Sequence, residues 1–129
     1  MSQENVDIVR RMLACFHQGD AAGALACFSR DVVVDASRRP DGRTGVGRSD
    51  LAAIIGQWLG AFEAWSEEIH QIHDLDDRVI VVATQRGRGK RSGVEVATEY
   101  ATIYRVRGGE IAALTLYPDP AEGLRAAGL

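Results

Sequence analysis

Apolar residues in the first half of the chain recur at helical spacing. The first stripe predicts a helix from Asn5 to Gln18 that ends at Gly19, and its members are Val6, Val9, Met12, Leu13 and Phe16. Asp20 is suited to cap a second helix, which carries Ala24, Leu25, Cys27 and Phe28. A third helix, capped near Ser49, carries a stripe wide enough to cover one face of a sheet: Leu51, Ile54, Ile55, Trp58, Leu59, Phe62 and Trp65.

The second half of the chain has the composition and the short turns of β-strands. A first strand over Asp31–Asp35 is followed by four segments rich in Val, Ile, Thr and Tyr: Glu67–Leu75, Val79–Arg88, Val94–Arg107 and Ile111–Tyr117. The last four are joined by hairpin-like connections, which predict an antiparallel sheet. The segment Ser37–Gly47, rich in glycine and charge, is predicted to be a mobile loop and a candidate lid. A capping box, Asp119-Pro120-Ala121-Glu122, predicts a short final helix.

The turns also predict which strand residues share a face. If Gly108-Gly109 is a two-residue turn, Tyr100, Thr102 and Tyr104 share one face with Ala113, Thr115 and Tyr117. A five-residue loop centred on Arg91 adds Val82, Thr84 and Thr98 to that face. The opposite face then carries smaller and smoother apolar side chains, typical of a surface that packs on another sheet: Val79, Val81, Ala101, Ile103, Leu114 and Leu116.

Length and charge narrow the class of protein. The 129 residues favour one domain spanning 1–129, and 18 acidic against 15 basic residues give a net charge of −3. This balance predicts neither nucleic acid nor an anionic membrane as a partner. The N-terminus is polar and no stretch is long and apolar enough for a membrane span, so we predict a cytoplasmic protein.

The histidines and cysteines predict no metal site. The two cysteines lack metal-ligand spacing, and His70 and His73, three apart on a strand, are expected to point to opposite faces. We therefore predict neither a metal nor another cofactor.

The order and spacing of these elements resemble a known superfamily. Gly19-Asp20 between two helices, an Asp-led strand, a Gly-rich loop, hairpins with Gly-Gly-Glu-Ile and a closing Tyr117-Pro118-Asp119 resemble the nuclear transport factor 2-like superfamily, particularly its SnoaL-like polyketide cyclase and ketosteroid isomerase branches. The resemblance implies an α+β fold, a conical α+β barrel in which N-terminal helices pack on a curved antiparallel sheet. It also implies one pocket between the helices and the concave sheet face, and a homodimer through the convex face.

On this basis we predict a pocket for a small apolar or carbonyl-bearing molecule. Its predicted substrate-binding residues are Trp58, Val82, Thr84, Thr98, Tyr100, Thr102, Tyr104, Thr115 and Tyr117. When the chain is aligned with ketosteroid isomerases on Gly19-Asp20, the three catalytic positions that the resemblance implies fall on Met12, Ala36 and Thr102. None of these side chains supplies the acid or base of that reaction.

One catalytic position does match. Asp119 resembles the acid/base aspartate of SnoaL-like cyclases, although its place before Pro120 also suits a helix cap. Two functions stay open: a cofactor-free cyclase or isomerase that uses Asp119, and a domain that binds a small molecule without catalysis.

Overall fold

The computed structural model describes residues 3–129 as helices packed on one open, six-stranded sheet. The helices are α1 (Gln3–His17), α2 (Ala21–Ala26), α3 (Arg48–Leu59) and α4 (Pro120–Ala126). The strands are β1 (Phe28–Asp35), β2 (Thr44–Val46), β3 (Phe62–Asp74), β4 (Arg78–Gly89), β5 (Glu95–Arg107) and β6 (Glu110–Tyr117). No helix within residues 3–129 is long and apolar enough to cross a membrane.

The strand order is β2-β1-β6-β5-β4-β3. Neighbouring strands are antiparallel except β1 and β6, which run parallel. The predicted α+β fold is confirmed, and β3 to β6 form the antiparallel hairpins predicted from the sequence. The parallel pair of β1 and β6 makes the sheet mixed, and the sheet is not closed. β1 lies between β2, with which it is antiparallel, and the distant β6, with which it is parallel. The predicted loop Ser37–Gly47 contains β2, so it is not wholly irregular.

The third helix is shorter than its apolar stripe predicts. It ends at Leu59, where Gly60 donates its backbone N–H to the Gly56 carbonyl, and Phe62 and Trp65 lie on β3. At the other end Gly47, with φ of 94°, is the N-cap in place of Ser49. A glycine fits there because a side chain disfavours that backbone conformation.

An extra residue in β6 changes the predicted face of that strand. The Gly108-Gly109 turn is confirmed: both residues have positive φ, and Arg107 pairs with Glu110. The register then shifts between Arg105 and Val106, so Tyr104 pairs with Leu114 and Thr102 pairs with Leu116. Since side chains alternate along a strand, this one-residue bulge moves Thr115 and Tyr117 to the outer face.

The hairpin between β4 and β5 also differs from the prediction by one residue, this time in the length of its loop. Arg88 pairs with Glu95, so the connection has one residue more than predicted. Tyr100 therefore pairs with Ala83, and Thr84 pairs with Glu99. The inner face of β4 carries Val79, Val81 and Ala83, whereas Val82 and Thr84 lie on the outer face.

The outer face does not carry the smooth surface predicted for a dimer. Four of its six predicted residues, Val79, Val81, Leu114 and Leu116, belong to the inner core. Ala101 and Ile103 do lie outside, but they are buried in a second cluster with Ala127 and Leu124 at the end of the chain. At Gly123 of α4, a methyl group would lie 2.8 Å from the Ala101 Cβ, so the helix sits tightly on the sheet. The homodimer stays a prediction, without the surface first named for it.

Candidate functional site

A cavity of about 300 Å³ lies between α1, α2 and α3 and the inner face of the sheet. Its lining is mostly apolar and includes Met12, Leu13, Phe16, Leu25, Phe28, Val34, Leu51, Ile54, Ile55, Leu59, Leu114 and Leu116. The polar groups on the wall belong to Arg39, Trp58, Glu67, Tyr100, Thr102 and Tyr104. Such a lining, apolar with a few polar groups, is typical of a pocket for a small organic molecule.

Four of the nine predicted binding residues line this cavity. They are Trp58, Tyr100, Thr102 and Tyr104. Thr98 is exposed and outside the lining, although it is on the same face of β5 as Tyr100. The other four, Val82, Thr84, Thr115 and Tyr117, are on the outer face because of the two register differences.

An aromatic cluster forms one side of the cavity. The ring centroids of Trp58 and Tyr100 are 5.5 Å apart at an interplanar angle of 89°. Trp58 and Trp65 are 5.8 Å apart, and Phe16 and Trp65 are 5.5 Å apart, both edge to face. Edge-to-face packing stabilises such pairs.

Asp119 is outside the cavity and caps α4. Its side chain is exposed, and its Oδ1 accepts a hydrogen bond from the Ala121 backbone N–H at 3.0 Å. Pro120 occupies the first helical position, as the capping box predicts. The capping interpretation is confirmed, and the carboxyl predicted to be catalytic does not reach the cavity wall.

Replacing Asp119 separates the capping role from an acid/base role. Asp119→Ala is expected to lower the free energy of unfolding by about 1 kcal/mol, because the Ala121 N–H loses its acceptor. Asp119→Asn keeps a capping oxygen and is expected to stay within about 0.5 kcal/mol of the wild type. Urea denaturation measures both, and an equal loss in the two variants would contradict the cap.

Glu67 is the carboxyl that the cavity does contain. β3 turns it inward opposite Gln85, and its side chain is only 3% exposed. His17, at the end of α1, places its Nε2 2.8 Å from the Glu67 Oε1. Burial raises the pKa of Glu67, and the hydrogen bond and charge of His17 offset part of that rise. A carboxyl with a raised pKa keeps its proton at higher pH than an exposed glutamate does, and can then act as an acid as well as a base.

Tyr104 is a buried phenol on the cavity wall whose pKa responds to the charge of Glu67. Burial raises the pKa of Tyr104, and the negative charge of Glu67 raises it further. The phenol therefore stays protonated and can donate a hydrogen bond.

Arg39 brings a positive charge to the cavity wall. Its guanidinium carbon is 4.9 Å above the ring of Trp58. The side chain is half-buried, and this burial lowers the pKa of Arg39. Among the lining residues within 3–129, Glu67 is the only acid and Arg39 the only base.

Sequence reasoning missed both Glu67 and Arg39 as residues of the cavity wall. Glu67 and Ile69 both face inward, so the signal available was an acidic residue at an inward position of β3. Arg38, and not Arg39, pairs with Asp35, at 3.4 Å. Hydrogen bonds from Ser37 are the main reason that the pKa of Asp35 is lowered.

The three positions aligned with ketosteroid isomerase residues all line the cavity. Met12, Ala36 and Thr102 come from α1, the end of β1 and β5. None of these side chains can act as a general acid or base near neutral pH. The catalytic arrangement of that branch is therefore absent from its expected place.

The histidines are arranged differently from the prediction. A bulge between Ile69 and Gln71 lets His70 reach Thr84, 2.6 Å away on the outer face, where His73 also lies. The prediction of opposite faces was therefore wrong. Over residues 3–129, no three His, Cys, Asp or Glu side chains are grouped to hold a metal ion.

Comparison with known proteins places this fold in a family. The family model of the SnoaL-like domain matches residues 9–114. No curated protein matches the chain in sequence. Several solved structures share its fold. An NTF2-like protein of unknown function from Burkholderia pseudomallei K96243 is 23% identical, with a TM-score of 0.79 and 100% of both chains covered.

Two further structures carry names that refer to small molecules. A proposed polyketide cyclase from Xanthomonas campestris pv. campestris is 20% identical, with a TM-score of 0.73 and 97% of each chain covered. TerC, co-crystallised with polyporic acid, is 15% identical, with a TM-score of 0.78 and 98% of this chain and 100% of that chain covered. At these identities the likeness shows the fold alone. Because the family model covers most of its residues, the chain belongs to the SnoaL-like domain family.

Proposed function

We propose that this protein binds a small, mostly apolar carbonyl compound in the cavity and moves a proton at the carbon beside the carbonyl, with Glu67 as acid and base. One observation carries the proposal. The only acid on the described wall is buried, has a raised pKa and is hydrogen-bonded to a histidine that is 31% exposed. Asp119, the first candidate, is not carried forward because it is outside the cavity.

The chemistry follows from the positions of the two side chains. The Glu67 carboxylate removes a proton from the carbon beside the carbonyl, which leaves an enolate, and then returns a proton to carbon. His17 connects Glu67 to solvent, so the proton on the carboxyl can exchange with water. Apolar walls exclude water from the reacting carbon and strengthen nearby hydrogen bonds.

A binding function without catalysis is the second candidate. The wall positions Met12, Ala36 and Thr102 favour it, because they replace the acid and base groups found there in ketosteroid isomerases. The names of two structural neighbours also fit a small-molecule function, since one is a proposed polyketide cyclase and one was co-crystallised with polyporic acid.

Hydrogen exchange into a model ketone separates the two functions. The probe is 2-tetralone in heavy water, and proton NMR follows loss of the signals beside its carbonyl. We expect the wild-type protein to accelerate this exchange over buffer, with calorimetry showing saturable binding. Binding without acceleration would favour the second candidate, and the absence of binding would contradict both.

A further inference from the structure

Arg39 is a cation on the cavity wall without an anionic partner in the described chain. The adjacent Arg38 is different: it contacts the Asp35 carboxylate at 3.4 Å and the Glu122 carboxylate at 3.1 Å. The Arg39 guanidinium instead packs over the ring of Trp58. The acid of the same cavity, Glu67, is bonded to His17. Two neighbouring arginines thus have opposite roles, one in a surface ion pair and one facing a cavity.

The loop holds Arg39 in this place through backbone hydrogen bonds. The Arg39 N–H donates to the Ala36 carbonyl at 3.2 Å, and the Gly42 N–H donates to the Arg39 carbonyl at 2.9 Å. Gly42 passes so close to the Ala36 carbonyl oxygen that a methyl group would overlap it. A closed turn at the end of β1 thus fixes the backbone of Arg39 beside the cavity, and its guanidinium lies over the ring of Trp58.

The surroundings of Arg39 favour a negatively charged ligand group. A half-buried guanidinium without a counter-ion has lost part of its hydration, which is consistent with the lowered pKa of Arg39. The Trp58 Nε1, on the same wall, is buried and has no hydrogen-bond acceptor among residues 3–129. A planar guanidinium binds a carboxylate through two parallel hydrogen bonds, and the indole N–H is a further donor.

We propose that the ligand of this cavity is a flat, apolar acid whose carboxylate pairs with Arg39 and whose ring packs against the cluster of Trp58 and Tyr100. The inference rests on the proposed binding function, and it names the class of molecule that is bound. The remaining wall is apolar, so it suits the uncharged body of such an acid. The apolar body is shared with the ketone probe of the proposed function, and the carboxylate is the feature that this inference adds.

Two probes of the same shape test the role of the charge. 2-Naphthoate carries a carboxylate, and 2-naphthamide replaces it with a neutral amide. Titration calorimetry with the wild-type protein is expected to give an affinity about 10- to 100-fold higher for naphthoate, the range typical of a charged hydrogen-bonded pair. Equal affinities would overturn the inference and leave the proposed binding function intact. If neither probe binds, the inference and the proposed binding function are both overturned.

Arg39→Gln is the matching variant, with Arg38→Gln as its control. Arg39→Gln is expected to remove the preference for naphthoate and to change the affinity for naphthamide by less than about threefold. Arg38→Gln changes a neighbouring arginine that is paired with Asp35 and Glu122, so the preference is expected to persist. An Arg39→Gln protein that loses both probes equally would overturn the inference, because Arg39 would then shape the cavity and not select the charge.

Discussion

Glu67→Gln is expected to slow the exchange of 2-tetralone protons by about 10²- to 10⁴-fold, the usual contribution of a general acid or base. Glutamine has nearly the same shape and retains an oxygen that can accept the hydrogen bond from His17, but it cannot take up a proton. Binding of 2-tetralone is expected to change by less than about threefold, because the apolar walls are unchanged. Proton NMR in heavy water gives the rate, and calorimetry gives the affinity.

The adjacent glutamate is a matched control. Glu68 is paired with Thr84, which lies on the outer face, and its side chain is 64% exposed. Glu68→Gln therefore makes the same chemical change one residue away, outside the cavity, and is expected to leave the rate unchanged. Asp119→Asn is also expected to leave the exchange rate unchanged. If Asp119→Asn stopped the exchange and Glu67→Gln did not, Asp119 would be the acid/base and Glu67 a structural residue.

The pH dependence gives a second check on Glu67. Proton removal needs the carboxylate, so the exchange rate is expected to rise with pH, with a midpoint above the ordinary Glu value of 4.5.

The stability of the protein should also depend on pH through Glu67, because burial favours its protonated form in the folded state. The stability contributed by Glu67 is thus fully present below its ordinary pKa and is lost as pH rises through the raised value. Glu67→Gln should match the wild-type stability in acid and exceed it at pH values above the raised pKa of Glu67.

The sheet illustrates how far the pattern of residues predicts a site. The inward face of β5, with Tyr100, Thr102 and Tyr104, agrees with the prediction from the sequence. The faces of β4 and β6 do not, because the prediction assumed a shorter β4–β5 loop and a β6 without its bulge. Since the side-chain period is two, an error of one residue inverts every position that follows, and neither the loop closure nor the bulge has a local sequence signature here.

The charged residues of the cavity show a second reason why the sequence alone did not predict the site. Glu67 contacts a histidine fifty positions earlier in the chain, a pairing that depends on how α1 crosses β3. Arg38 and Arg39 are the same residue type and are adjacent in sequence, and the turn closed by Gly42 gives them different environments. Local propensity predicts the helices and strands well, whereas these contacts arise from packing between distant elements.

Leu51→Ala is expected to lower the free energy of unfolding by about 2–5 kcal/mol, the range found for buried leucines. Leu51 is on α3, is 0% exposed and lines the cavity, so the space left by the truncated side chain adds to an existing void. Leu129→Ala is the matched control, because Leu129 is 59% exposed and its loss should cost less than about 0.5 kcal/mol. Urea denaturation of both variants measures the difference. A cost for Leu51→Ala no larger than for Leu129→Ala would mean that α3 does not seal the cavity against the sheet.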